Sequence, residues 1–187
     1  MTMTISATTA PAPSPHSVRD RPVTFAFATT SLGQALVAAT EKGICAILLG
    51  SDRNRLIADL SQHFPQAQPA PDDRLNDAVA RVAALIENPA GFADFDLDLQ
   101  GSEFEIKVWQ ALRTLRAGET LSYSDIAERI GLKGVPKAAK DVADACAANR
   151  IAVAVPCHRI RRKDGTISGY RWGVHRKRAL LAREGVQ

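Results

Sequence analysis

The chain has 187 residues, of which 45% are apolar, so it can bury the core of one medium domain or two small ones. No apolar run approaches the roughly 20 residues that a membrane-spanning helix requires, so no membrane partner is expected. The net charge of +4 combines −4 over residues 1–102 with +8 over residues 103–187, which leaves an anionic partner or a solvated basic surface for the second half.

The first 22 residues are rich in Ser, Thr, Ala and Pro. They lack the apolar stretch of a signal peptide, and their few arginines come only at the end, which disfavours a transit peptide. This composition predicts a disordered tail over 1–22 and a cytoplasmic protein.

The stretch from 23 to 98 alternates strand and helix patterns. Short runs rich in β-formers predict strands at 23–30, 35–40 and 44–50, and helical apolar spacing predicts helices at 52–64 and 72–88. The alternating segment 95–101 is typical of an exposed strand or a linker. These elements predict a small α/β domain over 23–98, in which we find no chemistry.

The second half reads as a series of short helices. A helix follows residue 103, and a second one over 122–131 starts with a capping box made by Ser122 and Asp125. A third helix over 137–148 follows a brief link that contains glycine, and Pro136 suits its first turn. This pair of helices predicts a helix-turn-helix.

The chain then continues with a strand, a turn and a last helix. The run at 151–155 is apolar and β-branched, Asp164-Gly165 indicates a hairpin or wing, and 174–185 reads as a closing helix that ends at glycine. The predicted architecture is α+β: the small α/β domain, then a winged-helix-like domain over 99–187.

The helix 137–148 is unusually rich in alanine. One interpretation is tight packing against other helices, since alanine is also simply a good helix former. The functional interpretation is a thin helix for a narrow place, because a helix is ~10–12 Å across whereas the DNA minor groove is ~6 Å wide. The pattern alone does not decide between them.

Cys157 and His158 follow the apolar run directly, in the stretch "AVAVPCHRI". Only a thiolate is a good nucleophile, and a neighbouring base can take the proton of a thiol. An isolated Cys-His pair is more often structural than catalytic. The other cysteines are Cys45 and Cys146, an odd total without C-x-x-C spacing, and the four histidines are scattered. We therefore expect no disulfide framework and no metal.

The surrounding sequence makes the pair specific. "PCHR", preceded by "ACAAN" and followed by "DGTISGYRWGVHRKRALL", closely resembles the O6-alkylguanine-DNA alkyltransferases, and the likeness extends over about residues 23–187. The resemblance implies a suicide methylated-DNA–protein-cysteine methyltransferase. It would move the alkyl group of O6-methylguanine, and of O4-methylthymine, irreversibly to its own cysteine without a cofactor. It also implies a ribonuclease-H-like N-terminal domain.

The same resemblance assigns catalytic roles. Cys157 accepts the alkyl group, His158 acts through a water as the base, and Glu184 orients the imidazole. Asn149 braces the turn before the active site. Tyr123 lies against the flipped base and donates a hydrogen bond from its hydroxyl to the base or the backbone.

It also implies a binding pocket for the base. Tyr170 forms a wall, the backbone N–H of Arg171 approaches O6 of guanine, and Trp172 adds bulk at the mouth. The backbone carbonyls of Cys157 and Ile160 accept from the exocyclic amine of guanine.

The implied partner is double-stranded DNA, bound by a monomer through the minor groove with the alkylated base flipped out. Lys140 stands where the family commonly has an arginine that fills the gap left by the base. Asp141 and Asp144 add negative charge near the face that should meet DNA. The residues expected at DNA are Lys137, Ala138, Ala139 and Lys140.

Two other classes of function compete with this interpretation. One is a helix-turn-helix regulator or lesion-recognition protein without repair activity, although lesion-recognition relatives lack the cysteine. The other is a cysteine hydrolase, for which no oxyanion-hole motif is present. Labelled alkylated DNA distinguishes them, because only the transferase takes up the label.

Overall fold

A computed structural model describes residues 21–91 and 94–186. The predicted disordered tail lies outside the described residues except for its last two positions. No helix among the described residues is long and apolar enough to cross a membrane.

The first half is built on a four-stranded sheet in the order β3-β2-β1-β4, in which β4 is parallel to β1 and the other pairs are antiparallel. The three strands predicted from sequence are confirmed, with β2 starting two residues earlier than expected. Gly33 and Gly43 start β2 and β3 with φ of 106° and 138°, which is why the tight turns before them use glycine. The strands are β1 Thr24–Thr30, β2 Gly33–Thr40, β3 Gly43–Gly50 and β4 Gln68–Pro69.

Two helices of the first half cover opposite faces of this sheet. Helix α1 spans Arg53–His63 and is capped by the side chain of Asp52, and it packs on one face in a small apolar cluster. Helix α2 spans Asn76–Glu87 and packs on the other face, within the cluster that continues into the second half. Both predicted helices are confirmed, although Asp73–Leu75 forms a 3-10 turn before α2.

The second half contains four helices and a short pair of parallel strands. The capping box of Ser122 and Asp125 is confirmed, because each side chain accepts a hydrogen bond from the other residue's backbone N–H. The indole N–H of Trp109 donates to the carbonyl of Ala145 at 2.8 Å and ties α3 to α5. The elements are α3 Glu103–Arg113, β5 Leu121–Ser122, α4 Tyr123–Arg129, α5 Ala138–Ala148, β6 Ile160–Arg161 and α6 Val174–Arg183.

The predicted strand at 151–155 is wrong, and of the two interpretations of 95–101 the structure favours the linker. Each segment makes only an isolated bridge to β3, at Leu97 and at Ile151. After Ile151 the chain turns at once, with Val153 at φ 65°, and the N–H of Val155 donates back to the carbonyl of Ile151 at 3.0 Å. The apolar run is a buried turn instead of a strand.

Two smaller expectations also change. Helix α5 begins at Ala138, after Lys137 at φ 65°, so Pro136 lies before the helix and not in its first turn. Around Asp164-Gly165 the structure has a turn closed by the N–H of Arg162 and the carbonyl of Thr166 at 2.9 Å. Among the described residues no strand pair extends from this turn, so it is not a hairpin. The architecture is a mixed α+β fold whose larger apolar cluster joins both halves.

Candidate active site

Cys157 is placed at the centre of the second half by the turn that precedes it. The segment before it is pinned to β3, since the N–H of Ile47 donates to the carbonyl of Arg150 at 2.8 Å and the N–H of Ala152 donates to Ile47 at 3.0 Å. Cys157 then begins a 3-10 turn through Arg159. It is only 5% exposed, so the sulfur is reached through a cavity and not from open surface.

Asn149 joins the end of α5 to the reactive thiol. Its side-chain amide donates to the carbonyl of Val155 at 3.0 Å and to the sulfur of Cys157 at 3.3 Å. Its carbonyl oxygen accepts from the N–H of Ile151 at 2.8 Å. The bracing role expected for Asn149 fits these contacts, and the direct bond to sulfur is an addition that the sequence did not predict.

His158 and Glu184 form a buried pair, with Nε2 of the ring 2.8 Å from Oε1 of the carboxylate. Glu184 also accepts from Arg159 at 2.9 Å and from the backbone N–H of Gly118 at 3.1 Å. A carboxylate at Nε2 favours the tautomer with its proton there. The other nitrogen, Nδ1, is buried and has no hydrogen-bond partner in the described part of the protein, so it is free to accept a proton.

Burial and these partners set the protonation states of the cluster. Burial raises the pKa of the Cys157 thiol, and the Asn149 hydrogen bond only partly opposes it. Burial lowers the pKa of His158 although Glu184 raises it. Burial also acts to raise the pKa of Glu184, but hydrogen bonds from His158 and Arg159 outweigh it and lower that pKa to about 2. At neutral pH the resting state is therefore a thiol, a neutral imidazole and a carboxylate.

A cavity of about 240 Å³ opens onto the sulfur of Cys157. One side is formed by helix α5 and the other by the segment 169–171, which we call the 169–171 wall. Ala143, Cys146 and Ala147 follow a single helix face at spacings of three and four residues, so α5 presents small side chains to the cavity. The lining residues are Tyr123, Ala143, Cys146, Ala147, Cys157, Gly169, Tyr170 and Arg171.

Behind the cavity lies a polar network that the sequence analysis missed. The hydroxyl of Tyr123 donates to Ser168 at 2.9 Å, and Ser168 donates to the carbonyl of Ile160 at 3.1 Å. Lys177 is completely buried and donates both to Ser168, at 2.8 Å, and to the carbonyl of Ile160. Burial lowers the pKa of Lys177 to about 8.

This network contradicts one expected role. A carbonyl oxygen has two lone pairs, and that of Ile160 already accepts from Lys177 and from Ser168. Its predicted use as the acceptor for the exocyclic amine of guanine does not fit this arrangement. Tyr123 reaches the cavity as expected, but its hydroxyl donates to Ser168 in this state.

Of the two aromatic residues expected in the pocket, Tyr170 lines the cavity and Trp172 does not. Tyr170 lines the cavity, with its ring centroid 6.5 Å from that of His158. Trp172 packs edge-on against Tyr170 at 5.1 Å, and it is buried and not among the residues that line the cavity. The expected bulk at the mouth is therefore wrong for Trp172, because the residue turns behind Tyr170.

The predicted DNA-facing residues of α5 also divide. Lys137 and Lys140 are exposed and Ala139 is half-buried, whereas Ala138 is 3% exposed and packs in the main core. Ala138 therefore offers almost no surface to DNA in this state. The ammonium of Lys140 pairs with Asp144, one turn further along the helix, at 2.6 Å.

Of the missed residues, Lys177 left the clearest signal. It precedes Leu180 and Leu181 by three and four residues, so a lysine stands on the apolar face of α6. Gly118 and Ser168 left none, because their contacts are made across the fold. The described residues contain no group of three or more His, Cys, Asp or Glu side chains that could hold a metal ion.

Comparison with known sequences matches this site. A family model described as 6-O-methylguanine DNA methyltransferase, DNA binding domain, matches residues 103–186. The bifunctional transcriptional activator/DNA repair enzyme Ada of Escherichia coli is 49% identical over 170 residues, which cover 90% of this chain and 47% of Ada. The regulatory protein Ada of Salmonella typhimurium is 45% identical over 163 residues, 87% of this chain and 45% of that protein. The chain thus spans about half the length of these relatives.

Solved structures of relatives match most of this chain. The O6-methylguanine methyltransferase of Mycobacterium tuberculosis is 32% identical with a TM-score of 0.71, and the match covers 87% of this chain and 92% of that one. A complex of the same enzyme with DNA gives a TM-score of 0.69 over the same shares. Since this 32% identity extends over 92% of the solved relative and the family model covers the Cys157 site, the chain belongs to the O6-alkylguanine-DNA alkyltransferase family.

Proposed function

We propose that this protein repairs DNA by moving the methyl group of O6-methylguanine, or of O4-methylthymine, to the sulfur of Cys157. The observation that carries the proposal is the buried cluster of Asn149, Cys157, His158 and Glu184, whose cysteine lines a cavity of about 240 Å³. The names of the relatives, which include DNA repair enzymes and a DNA complex, support the same reaction.

The chemistry follows from the protonation states. The thiol proton passes through a water to Nδ1 of His158, and Glu184 stabilises the imidazolium that forms. The thiolate attacks the methyl carbon, so a C–S bond forms while the C–O6 bond breaks, and the bonding pair stays on guanine. Guanine then takes a proton, which balances the one removed from the thiol. The product is a thioether without an easily hydrolysed bond, so each molecule acts once.

The substrate base has to leave the duplex to reach this cavity. A buried sulfur cannot meet a stacked base, and flipping costs a few kcal/mol, less for a weakly paired alkylated base. We propose that α5 enters the minor groove, with Ala143 and Ala147 toward the DNA and the cavity, and that Lys140 fills the vacated space. Tyr170 and the backbone of Arg171 then form the walls of the pocket around the flipped base. The protein acts as a monomer and needs no cofactor.

We also propose the fold type of each of the two domains. The sheet with helices on both faces supports a ribonuclease-H-like domain over 23–98, and α4, α5 and the turn at 163–165 support a winged-helix-like domain over 99–187. The cytoplasmic location stays a prediction.

Incubation with duplex DNA that carries one labelled O6-methylguanine tests the function. We expect label to reach a plateau of one methyl group per protein molecule, located on Cys157. Cys157→Ala should take up no label but still bind DNA. Cys146→Ala is the matched control, since this thiol lines the same cavity and should not be needed. Label on Cys146, or a plateau well above one, contradicts the proposal, and DNA binding without any transfer favours the regulator.

A further inference from the structure

The 169–171 wall of the cavity is held by the N-terminal half of the protein. The guanidinium of Arg171 donates to Oδ1 of Asp59, on α1, at 2.8 Å. Its other amino group donates to the carbonyl of Ala147, near the end of α5, at 3.3 Å. One side chain therefore connects both sides of the cavity to a helix that lies outside the predicted DNA-binding domain.

A second arginine fixes the far end of the same segment. Arg176 is buried and donates to the carbonyl of Trp172 at 2.7 Å. It also donates to the carbonyl of Leu32, in the β1–β2 turn, at 2.8 Å, and to the hydroxyl of Ser51 after β3 at 3.3 Å. Residues next to the reactive cavity are thus anchored to the N-terminal half at two points.

The two anchors differ in strength. Arg176 bonds mainly to backbone carbonyls and is buried, so its contacts are rigid parts of the core. The side chains of Arg171 and Asp59 are 25% and 31% exposed, and an ion pair of this kind contributes little to overall stability. A change at Asp59 can therefore release the wall without unfolding the protein.

The surroundings of Asp59 favour the pair. His63 lies one turn further along α1, and its pKa is lowered by burial and by the nearby Arg150 and Arg171, so it is neutral at pH 7. The carboxylate of Asp59 therefore faces basic groups without competition from a charged histidine on its own helix.

We propose that Asp59 is a positioning residue, which through Arg171 holds the 169–171 wall against the cavity and so limits the size of the alkyl group that Cys157 accepts. The inference rests on the proposed function and gives the N-terminal half a part in specificity. With the wall released, the cavity should widen, and the small methyl group should be held less well than a bulky one.

The test compares guanine free bases that carry either a methyl or a benzyl group at O6, which removes DNA binding from the measurement. For the Asp59→Asn protein we expect the benzyl-to-methyl rate ratio to rise by about 1.5- to fivefold, the range that loss of a partly exposed ion pair supports. The ratio is measured within one protein sample, so a smaller folded fraction cancels. Asp59→Glu keeps the carboxylate and should return the ratio toward that of the wild type.

Asp77→Asn is the matched control, because Asp77 forms an exposed ion pair with Arg81 on α2, and neither residue lines the cavity. It should leave the ratio unchanged. An unchanged ratio in Asp59→Asn, or an equal rise in Asp77→Asn, overturns the inference while the proposed function stands. If the wild type takes up no label from duplex DNA that carries O6-methylguanine, the proposed function fails and the inference fails with it.

Discussion

The ion pair between Lys140 and Asp144 holds the lysine side chain along the surface of α5. The proposed function requires the same side chain to reach into the DNA duplex, so the pair should oppose repair. Nζ of Lys140 lies 2.6 Å from Oδ2 of Asp144, and both side chains are largely exposed. Exposed pairs one helical turn apart favour the paired state by only about twofold. Asp144→Asn removes the pair and one negative charge. The repulsion between such an exposed charge and DNA phosphates is screened by salt over ~10 Å, so its loss should add less than another twofold. We expect duplex repair to become about two- to fourfold faster.

The assay compares two rates for each variant under single-turnover conditions. One is methyl transfer from duplex DNA, and the other is transfer from the free O6-methylguanine base, which needs no flipping. Asp144→Asn should raise the first rate and leave the second unchanged. Asp141→Asn is the control, because Asp141 is exposed on the same helix and its substitution removes the same charge. It leaves the hydrogen bond from Lys140 to Asp144 intact. Its gain should be smaller and should vanish at high salt.

Variants of Lys140 decide whether the released lysine is the cause. Lys140→Arg should speed duplex repair, because a guanidinium plane can stack in the vacated space and donate several hydrogen bonds. Lys140→Ala should slow it, and should abolish the gain from Asp144→Asn. The reasoning is refuted if Asp141→Asn and Asp144→Asn act equally, or if the Asp144→Asn gain survives in Lys140→Ala.

Three further predictions concern the buried cluster. Glu184→Gln should slow transfer at saturating DNA more than it weakens binding, because His158 loses the group that fixes its tautomer; equal rates would remove Glu184 from the relay. Asn149→Ala should move the rising limb of the free-base rate to higher pH, since the Asn149 hydrogen bond lowers the pKa of Cys157; an unmoved limb contradicts this. Because its folded pKa is lowered from 4.5 to about 2, Glu184 stabilises the fold above pH 4.5, and this contribution is lost on acidification toward pH 2. Denaturant unfolding of Glu184→Gln should lack that dependence.

The sequence predicted best those features that depend on neighbouring residues. The capping box of Ser122 and Asp125 is a contact across three residues, and the turns at Gly33 and Gly43 need a backbone that glycine adopts freely. The apolar run 151–155 misled, because β-branched residues fit a buried turn as well as a strand. Only the packing against β3, which is distant in sequence, decides between the two.

The site shows the same limit. Cys157 and His158 are adjacent in the chain and so were visible together, and the family resemblance supplied Asn149 and Glu184. Ala138 precedes Val142 by four residues, a spacing that places both on the inner face of α5, and this signal in the sequence was missed. The bond from Arg171 to Asp59 joins residues 112 positions apart, and no local pattern indicates it.

Burial of the reactive cluster has two opposing effects on the proposed reaction. It raises the pKa of Cys157 and lowers that of His158, so the proton stays on sulfur and the free protein is a weak nucleophile. Moving that proton creates charge in a buried site, and the Glu184 carboxylate, 2.8 Å from the imidazole, stabilises it at the moment it forms. The departing guanine then takes up a proton, so the charge separation is transient. For a protein consumed in one turnover this arrangement is favourable, because every thiolate spent on an oxidant or a stray electrophile removes a molecule from repair.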